Sequence, residues 1–330
     1  MPNKTDTVDF HTHFMPREAS GITVRGCPGL VIESETCGEM YRGDKHYRTI
    51  DERTWDANRR IGDMDAREIG LQVISPIPVC YSYEAAAADG LAYAKLQNDG
   101  IAAVVRARPD RFAGLAMVPL QDPEAACAEL ERTTRELGLH GVEIGTVAGG
   151  RELDDAALVP FWERCAALDA IVFIHPESAP GFDRLQFMQM VISTAYPSET
   201  GIAAARLMMT GIFTRHPKLR IVLAHGGGTL PWLLPRLDRL WNIDEKIQAA
   251  LPKRPSETAR AFYGDTLVFD ADNLALVAKR FGSDHLVVGS DYPFAVMEDP
   301  PGAVIATVSS FDDATRAALR SGNARRLLQK

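Results

Sequence analysis

The chain places five side chains of metal-binding types where short apolar runs end. His11 and His13 close Val8-Asp9-Phe10-His11-Thr12-His13, and His175 closes Ile171-Val172-Phe173-Ile174-His175. His225 leads into Gly226-Gly227-Gly228, and Asp291 sits in Ser290-Asp291-Tyr292-Pro293. In an extended strand residues i and i+2 point to one side, so His11 and His13 face a common point. Imidazole nitrogens joined by a carboxylate form the donor set of a zinc site. Each residue alone has an ordinary alternative: His175 as a core histidine bonded to backbone, the triple glycine as a tight turn, Asp291 as a helix cap. Four of the eight histidines nevertheless take this one kind of position. Together with Asp291 they supply a metal centre and one histidine to spare.

The elements that must hold these residues follow from periodicity. Continuous apolar runs at 8–13, 71–76, 112–118, 141–145, 171–175, 219–225, 267–270 and 286–291 read as strands covered on both faces. Helical patterns separate most of them. The clearest begins with Asp122 as N-cap and Pro123 at the first helical position. It runs through Ala126, Leu130, Thr133 and Leu137 to Gly138. Others span 84–107 and a segment from Trp55-Asp56 to Gly70. Residues 14–55 have no sustained period and read as an inserted excursion of loops and short strands. Eight strands alternating with helices predict an α/β fold, a (β/α)8 TIM barrel occupying 1–330 as one domain, with a small insertion after the first strand. A doubly wound open sheet is the alternative. It calls for a glycine-rich phosphate turn after the first strand, where this chain has His11 and His13.

Composition narrows the function classes. A length of 330 residues, 46% hydrophobic, supports a large buried core, and a formal net charge of −8 argues against nucleic acid or an anionic membrane as the main partner. Cys27, Cys37, Cys80, Cys127 and Cys165 are odd in number and contain no Cys-x-x-Cys pair, so they read as reduced thiols. The N-terminus lacks a signal peptide's apolar core, and no run is long enough to cross a bilayer. A cytoplasmic protein is expected.

The order His-x-His, His, His-Gly-Gly-Gly, Asp-Tyr-Pro resembles the amidohydrolase superfamily and, within it, the aminocarboxymuconate-semialdehyde decarboxylase (ACMSD) family. Trp55-Asp56, Met64-Asp65, Arg111-Phe112, Gly141-Val142, Gly289-Ser290-Asp291-Tyr292-Pro293-Phe294 and Gly322-Asn323-Ala324 fall in that family's order too, so the likeness covers nearly the whole chain. The resemblance implies that His11, His13, His175 and Asp291 hold one Zn2+, with Mn2+ or Co2+ as other candidates. It makes His225 the base for the metal's water and Asp291 a second proton carrier. The fourth strand ends in Glu143-Ile144-Gly145-Thr146, without a lysine to bridge two metals, so one ion is expected and Glu143 is expected to face the helices. Arg48, assisted by Arg42, would bind a substrate carboxylate, and Arg236 would reach the neighbouring subunit's site in a homodimer. Phe294 and Ile192 would line the pocket. Glu177 stands where close relatives have an aromatic residue, which points to an altered pocket.

The activity so implied is non-oxidative decarboxylation of a small unsaturated or aromatic carboxylic acid in a catabolic pathway. Two alternatives remain at this level: a metal-dependent hydrolase or hydratase of a lactone or unsaturated dicarboxylate, and a non-catalytic barrel with a relic metal site. Loss of CO2, gain of water, or no turnover separates the three.

Overall fold

The computed structural model describes residues 6–329. Its first strand, β1 (Thr7–Phe14), is buried along its whole length. An antiparallel sheet follows, of β2 (Pro28–Ile32), β3 (Cys37–Arg42) and β4 (Lys45–Asp51) in that order. It encloses Leu30, Met40 and Ile50 against Met15, Trp55, Tyr93 and Met117, forming an apolar cluster of its own. The expected excursion is thus a small sheet with its own core.

The chain then alternates. After β5 (Ile69–Pro76), β6 (Phe112–Gly114), β7 (Gly141–Ile144) and a short hairpin of β8 (Val147–Ala148) and β9 (Arg151–Glu152) come β10 (Ile171–Ile174), β11 (Arg220–Leu223), β12 (Tyr263–Asp265) and β13 (Leu286–Val287). The strands pair in parallel as β1-β5-β6 and as β13-β12-β11-β10-β7. Bridges Asp9–Val288 and Ala116–Val142 join the two arcs, closing an eight-stranded ring. The TIM barrel is therefore formed, with helices such as Ala87–Ala107, Pro123–Arg135 and Tyr196–Met209 packed outside it. Asp122 caps its helix as expected, its Oδ1 accepting from the N–H of Ala125 at 3.1 Å. Among the described residues no helix is long and apolar enough to cross a membrane.

Three boundaries differ from expectation. The helix after Trp55 stops at Ala66, because Glu68 takes φ 58° and Ile69 already begins β5. The third strand keeps its ladder only over Phe112–Gly114. The seventh strand is Tyr263–Asp265, ahead of the apolar run at 267–270, and Asp270 instead caps the helix Ala271–Phe281. A glycine and an aspartate in a three-residue strand leave no apolar period to read.

A bulge in β1 decides which way its histidines point. Pairing with β5 shifts register between Asp9 and Thr12. Phe10 packs inside the barrel, its ring 6.0 Å from that of Phe173, whereas Phe14, four residues on, belongs to the cluster facing the helices. In an unbroken strand these two would share a side. The extra residue switches parity, so His11 and His13 turn inward at the C-terminal mouth, above Phe10.

Candidate active site

His11 and His13 are fully buried, with their Nε2 atoms 3.2 Å apart. Asp291 Oδ1 lies 3.0 Å from Nε2 of His13 and 3.5 Å from Nε2 of His11. One donor atom from each of His11, His13, His175 and Asp291 falls within 4.8 Å of all the others. The outer nitrogens are all occupied: Nδ1 of His11 by Asp265 Oδ2 at 2.7 Å, Nδ1 of His13 by the Pro76 carbonyl at 3.1 Å, and Nδ1 of His175 by the Pro176 carbonyl at 2.8 Å. Each Nδ1–H donating outward leaves an Nε2 lone pair facing inward. Nε2 of His175 is buried without a hydrogen-bond partner. Lone pairs so crowded repel one another unless a positive charge sits between them, and a divalent cation fits that donor set.

The fold fixes the remaining groups through strained turns. His225 and Asp291 adopt φ of 55° and 67°, a region L-residues seldom occupy. At His225 this conformation breaks the alternation that would send the residue after inward-facing Ala224 toward the helices. Its ring instead lies 5.0 Å from His175 and 5.5 Å from His11. Asp265, at the end of β12, accepts from the backbone N–H of His225 at 3.0 Å and of Gly226 at 2.8 Å as well as from His11. Gly228 is obligatory: at φ 57°, a Cβ would lie 1.9 Å from the Pro197 carbonyl oxygen.

Electrostatics separates these groups. Burial pushes the His225 imidazole down to about 4, reinforced by nearby His11, so it is neutral at pH 7. Burial also holds His175 well below the ordinary histidine value, again with help from its neighbours. Burial opposes ionisation of Asp291, yet the adjacent His11 and His13 outweigh that and keep it well below the carboxylate range. Asp265 is lowered too, burial being overcome by the bond from His11.

Asp265 was not among the residues singled out in the sequence. Its signal was there in Gly264-Asp265, but the strand was read too late along the chain. Glu143 needs a correction. It faces the barrel interior, with Oε1 3.7 Å from His13 Nδ1 and accepting from the Tyr81 hydroxyl. Its neighbours Val142 and Ile144 face the helices, so period-two alternation turns Glu143 inward, in register with Phe173.

Of the expected substrate groups, Arg48 on β4 has no ion-pair or hydrogen-bond partner among the described residues, and its guanidinium lies 4.8 Å from the Phe294 ring centroid. The Phe294 ring in turn packs 5.1 Å from His13. Arg48, Phe294 and His13 thus form one stack. Arg42, at the end of β3, pairs with Glu177. Ile192 is half-buried in the π-helical turn Val191–Ala195. Arg236 is exposed on the helix Leu230–Trp241.

Comparison with known proteins gives concordant matches. Residues 8–330 match the family model described as amidohydrolase. A 2-amino-3-carboxymuconate-6-semialdehyde decarboxylase of Dictyostelium discoideum is 35% identical over 322 residues, covering 96% of this chain and 90% of that protein. Among solved structures, a 5-carboxyvanillate decarboxylase from Sphingomonas paucimobilis superposes with TM-score 0.81 at 25% identity, covering 98% of this chain and 99% of that one. A dihydroxybenzoic acid decarboxylase from a Polaromonas species, with bound manganese and 2-nitroresorcinol, gives TM-score 0.79 at 25% identity, covering 98% of this chain and 97% of that one.

Proposed function

This chain belongs to the amidohydrolase family, and we propose that it works there as a metal-dependent, non-oxidative decarboxylase of a small unsaturated or aromatic carboxylic acid in a catabolic pathway. It is a carboxy-lyase. The observation that carries this reading is the convergence of three imidazole Nε2 atoms and one carboxylate beneath an unpaired guanidinium, that of Arg48.

His11, His13, His175 and Asp291 would hold one divalent cation, for which we propose Zn2+; Mn2+ and Co2+ suit the same donors. When bound, the cation supplies a Lewis acid that stabilises the negative charge left on the substrate as CO2 departs. The chain's own groups do the rest. Arg48 offers a planar fork to a substrate carboxylate, and Phe294 gives a flat unsaturated ring an apolar face beside His13. His225 is neutral and its ring stands beside those of His175 and His11, so it accepts a proton from water or a substrate hydroxyl. Asp291, aimed at the same point, is proposed to pass a proton to the carbon that has lost CO2. Ile192 is proposed as the pocket wall nearest the loop after β10.

We further propose a homodimer in which Arg236 enters the partner's site. Its helix exposes Trp232 (77%) and Leu240 (43%), and Ile243 just beyond (61%), an apolar face that water alone does not suit. All five cysteines are free, the state a reducing cytoplasm maintains, and we place the protein there.

The test is direct. Purified protein reconstituted with one equivalent of Zn2+ should release CO2 from members of a panel of muconate-semialdehyde and hydroxybenzoate acids. Gain of water in the product, or no product from any acid, overturns the reading.

A further inference from the structure

Two guanidinium groups stand at the barrel mouth in different states. Arg48 is unpaired over Phe294. Arg42 donates to Oε1 of Glu177. The Tyr47 ring lies between them, 5.0 Å from the Arg42 guanidinium and 5.6 Å from that of Arg48. Both cations therefore border one space.

The backbone at Glu177 is tied down beside the site. The residue follows His175 and Pro176 directly after β10, and its backbone carbonyl accepts from the Tyr196 hydroxyl at 3.0 Å. Turning its carboxylate away breaks the ion pair with Arg42. An incoming carboxylate can claim Arg42 only by displacing Glu177, and would then leave that carboxylate partly buried, without a partner and facing the newcomer's negative charge.

We propose that Glu177 is a specificity-determining residue that neutralises Arg42 and so rejects any acid whose second carboxylate falls on this side of the mouth. The inference rests on the decarboxylase reading and adds a charge rule to it. Acids with a neutral group at this position enter; their counterparts with a further carboxylate there do not. Arg48 remains free on this side to take a carboxylate.

The test compares binding of 2-hydroxybenzoate, 4-hydroxyisophthalate and 2-hydroxyterephthalate by calorimetry to the zinc-loaded wild type, Glu177→Gln and the double variant Glu177→Gln/Arg42→Met. The two dicarboxylates place the extra charge at different ring positions. In Glu177→Gln, the affinity for at least one dicarboxylate should rise about tenfold or more relative to 2-hydroxybenzoate, the factor of one charge-assisted hydrogen bond. Adding Arg42→Met should abolish the gain. The pair is half-exposed, so its loss should leave thermal stability nearly unchanged, and a melting curve checks that. Dicarboxylate-to-monocarboxylate ratios that stay within about twofold, including the case in which no acid binds either protein, overturn the proposal. CO2 release by the wild type, measured in parallel, distinguishes that failure from failure of the decarboxylase reading.

Discussion

Asp265 Oδ2 accepts from His11 Nδ1 at 2.7 Å, and the same atom accepts from the backbone N–H of His225 at 3.0 Å. One buried carboxylate thus orients the His11 ring and fixes the backbone at His225. Asp265→Ala should lower metal affinity about 10- to 100-fold, the usual cost of losing the group that orients a ligating histidine. Chelator competition measures this, and circular dichroism should show the barrel intact. Unchanged metal affinity would remove Asp265 from the site.

His225→Ala should leave metal content and inhibitor binding near the wild-type level while turnover falls about 10²- to 10⁴-fold, the range for loss of a proton-transfer group. Single-turnover CO2 release separates this from a binding defect. A variant with normal turnover would show that the neutral imidazole has no part in the chemistry.

Arg48→Met should raise KM for the acid substrate by roughly 10- to 100-fold, as expected when a charge-assisted bond to a carboxylate is removed, with a smaller change in kcat. Arg48→Lys should recover only part of this, because an ammonium lacks the planar fork. Equal kinetics for both variants and wild type would mean that Arg48 is a solvated charge on β4.

Trp232→Glu, on the exposed face of the helix Leu230–Trp241, should convert a dimer to monomers in sedimentation experiments and reduce kcat. Mixing an inactive His225→Ala chain with an Arg236→Ala chain should restore activity if the two residues act across the interface. No restoration, or a fully active monomer, contradicts a shared site.

Glu199 provides a pH test away from the metal ligands. It is 6% exposed, and burial, aided by nearby Glu152, pushes its carboxyl up to about 6. The folded state therefore binds its proton more tightly than the unfolded chain. That contribution to stability is complete below about pH 4.5 and is lost as pH rises through 6. Glu199→Gln should stabilise the protein by about 2 kcal/mol at pH 7 and by nearly nothing at pH 4, read from urea unfolding at the two values. Equal effects at both would show that Glu199 does not titrate between them.

Much of the architecture was legible because parallel strands buried on both faces are written as continuous apolar runs, and Asp122-Pro123 or the triple glycine after His225 mark their own turns. Tyr263–Asp265 was not, since three residues containing a glycine carry no period. Missing that strand hid Asp265. Glu143 was assigned the wrong face because only one charged residue interrupts an apolar run, and its interior partners, Tyr81 and His13, are distant in sequence.

The sequence by itself determined the donor types, their order and the shared direction of His11 and His13, because a two-residue spacing in a strand admits only one relative orientation. Which direction that is was decided by tertiary structure. The bulge between Asp9 and Thr12 appears only in the pairing of β1 with β5, and it turns both rings toward the barrel mouth. Likewise the residues show arginines at 42 and 48, but only the folded chain, bringing residue 177 across to residue 42, leaves one paired and the other free. Spacing along a chain governs local orientation; long-range register governs which groups meet.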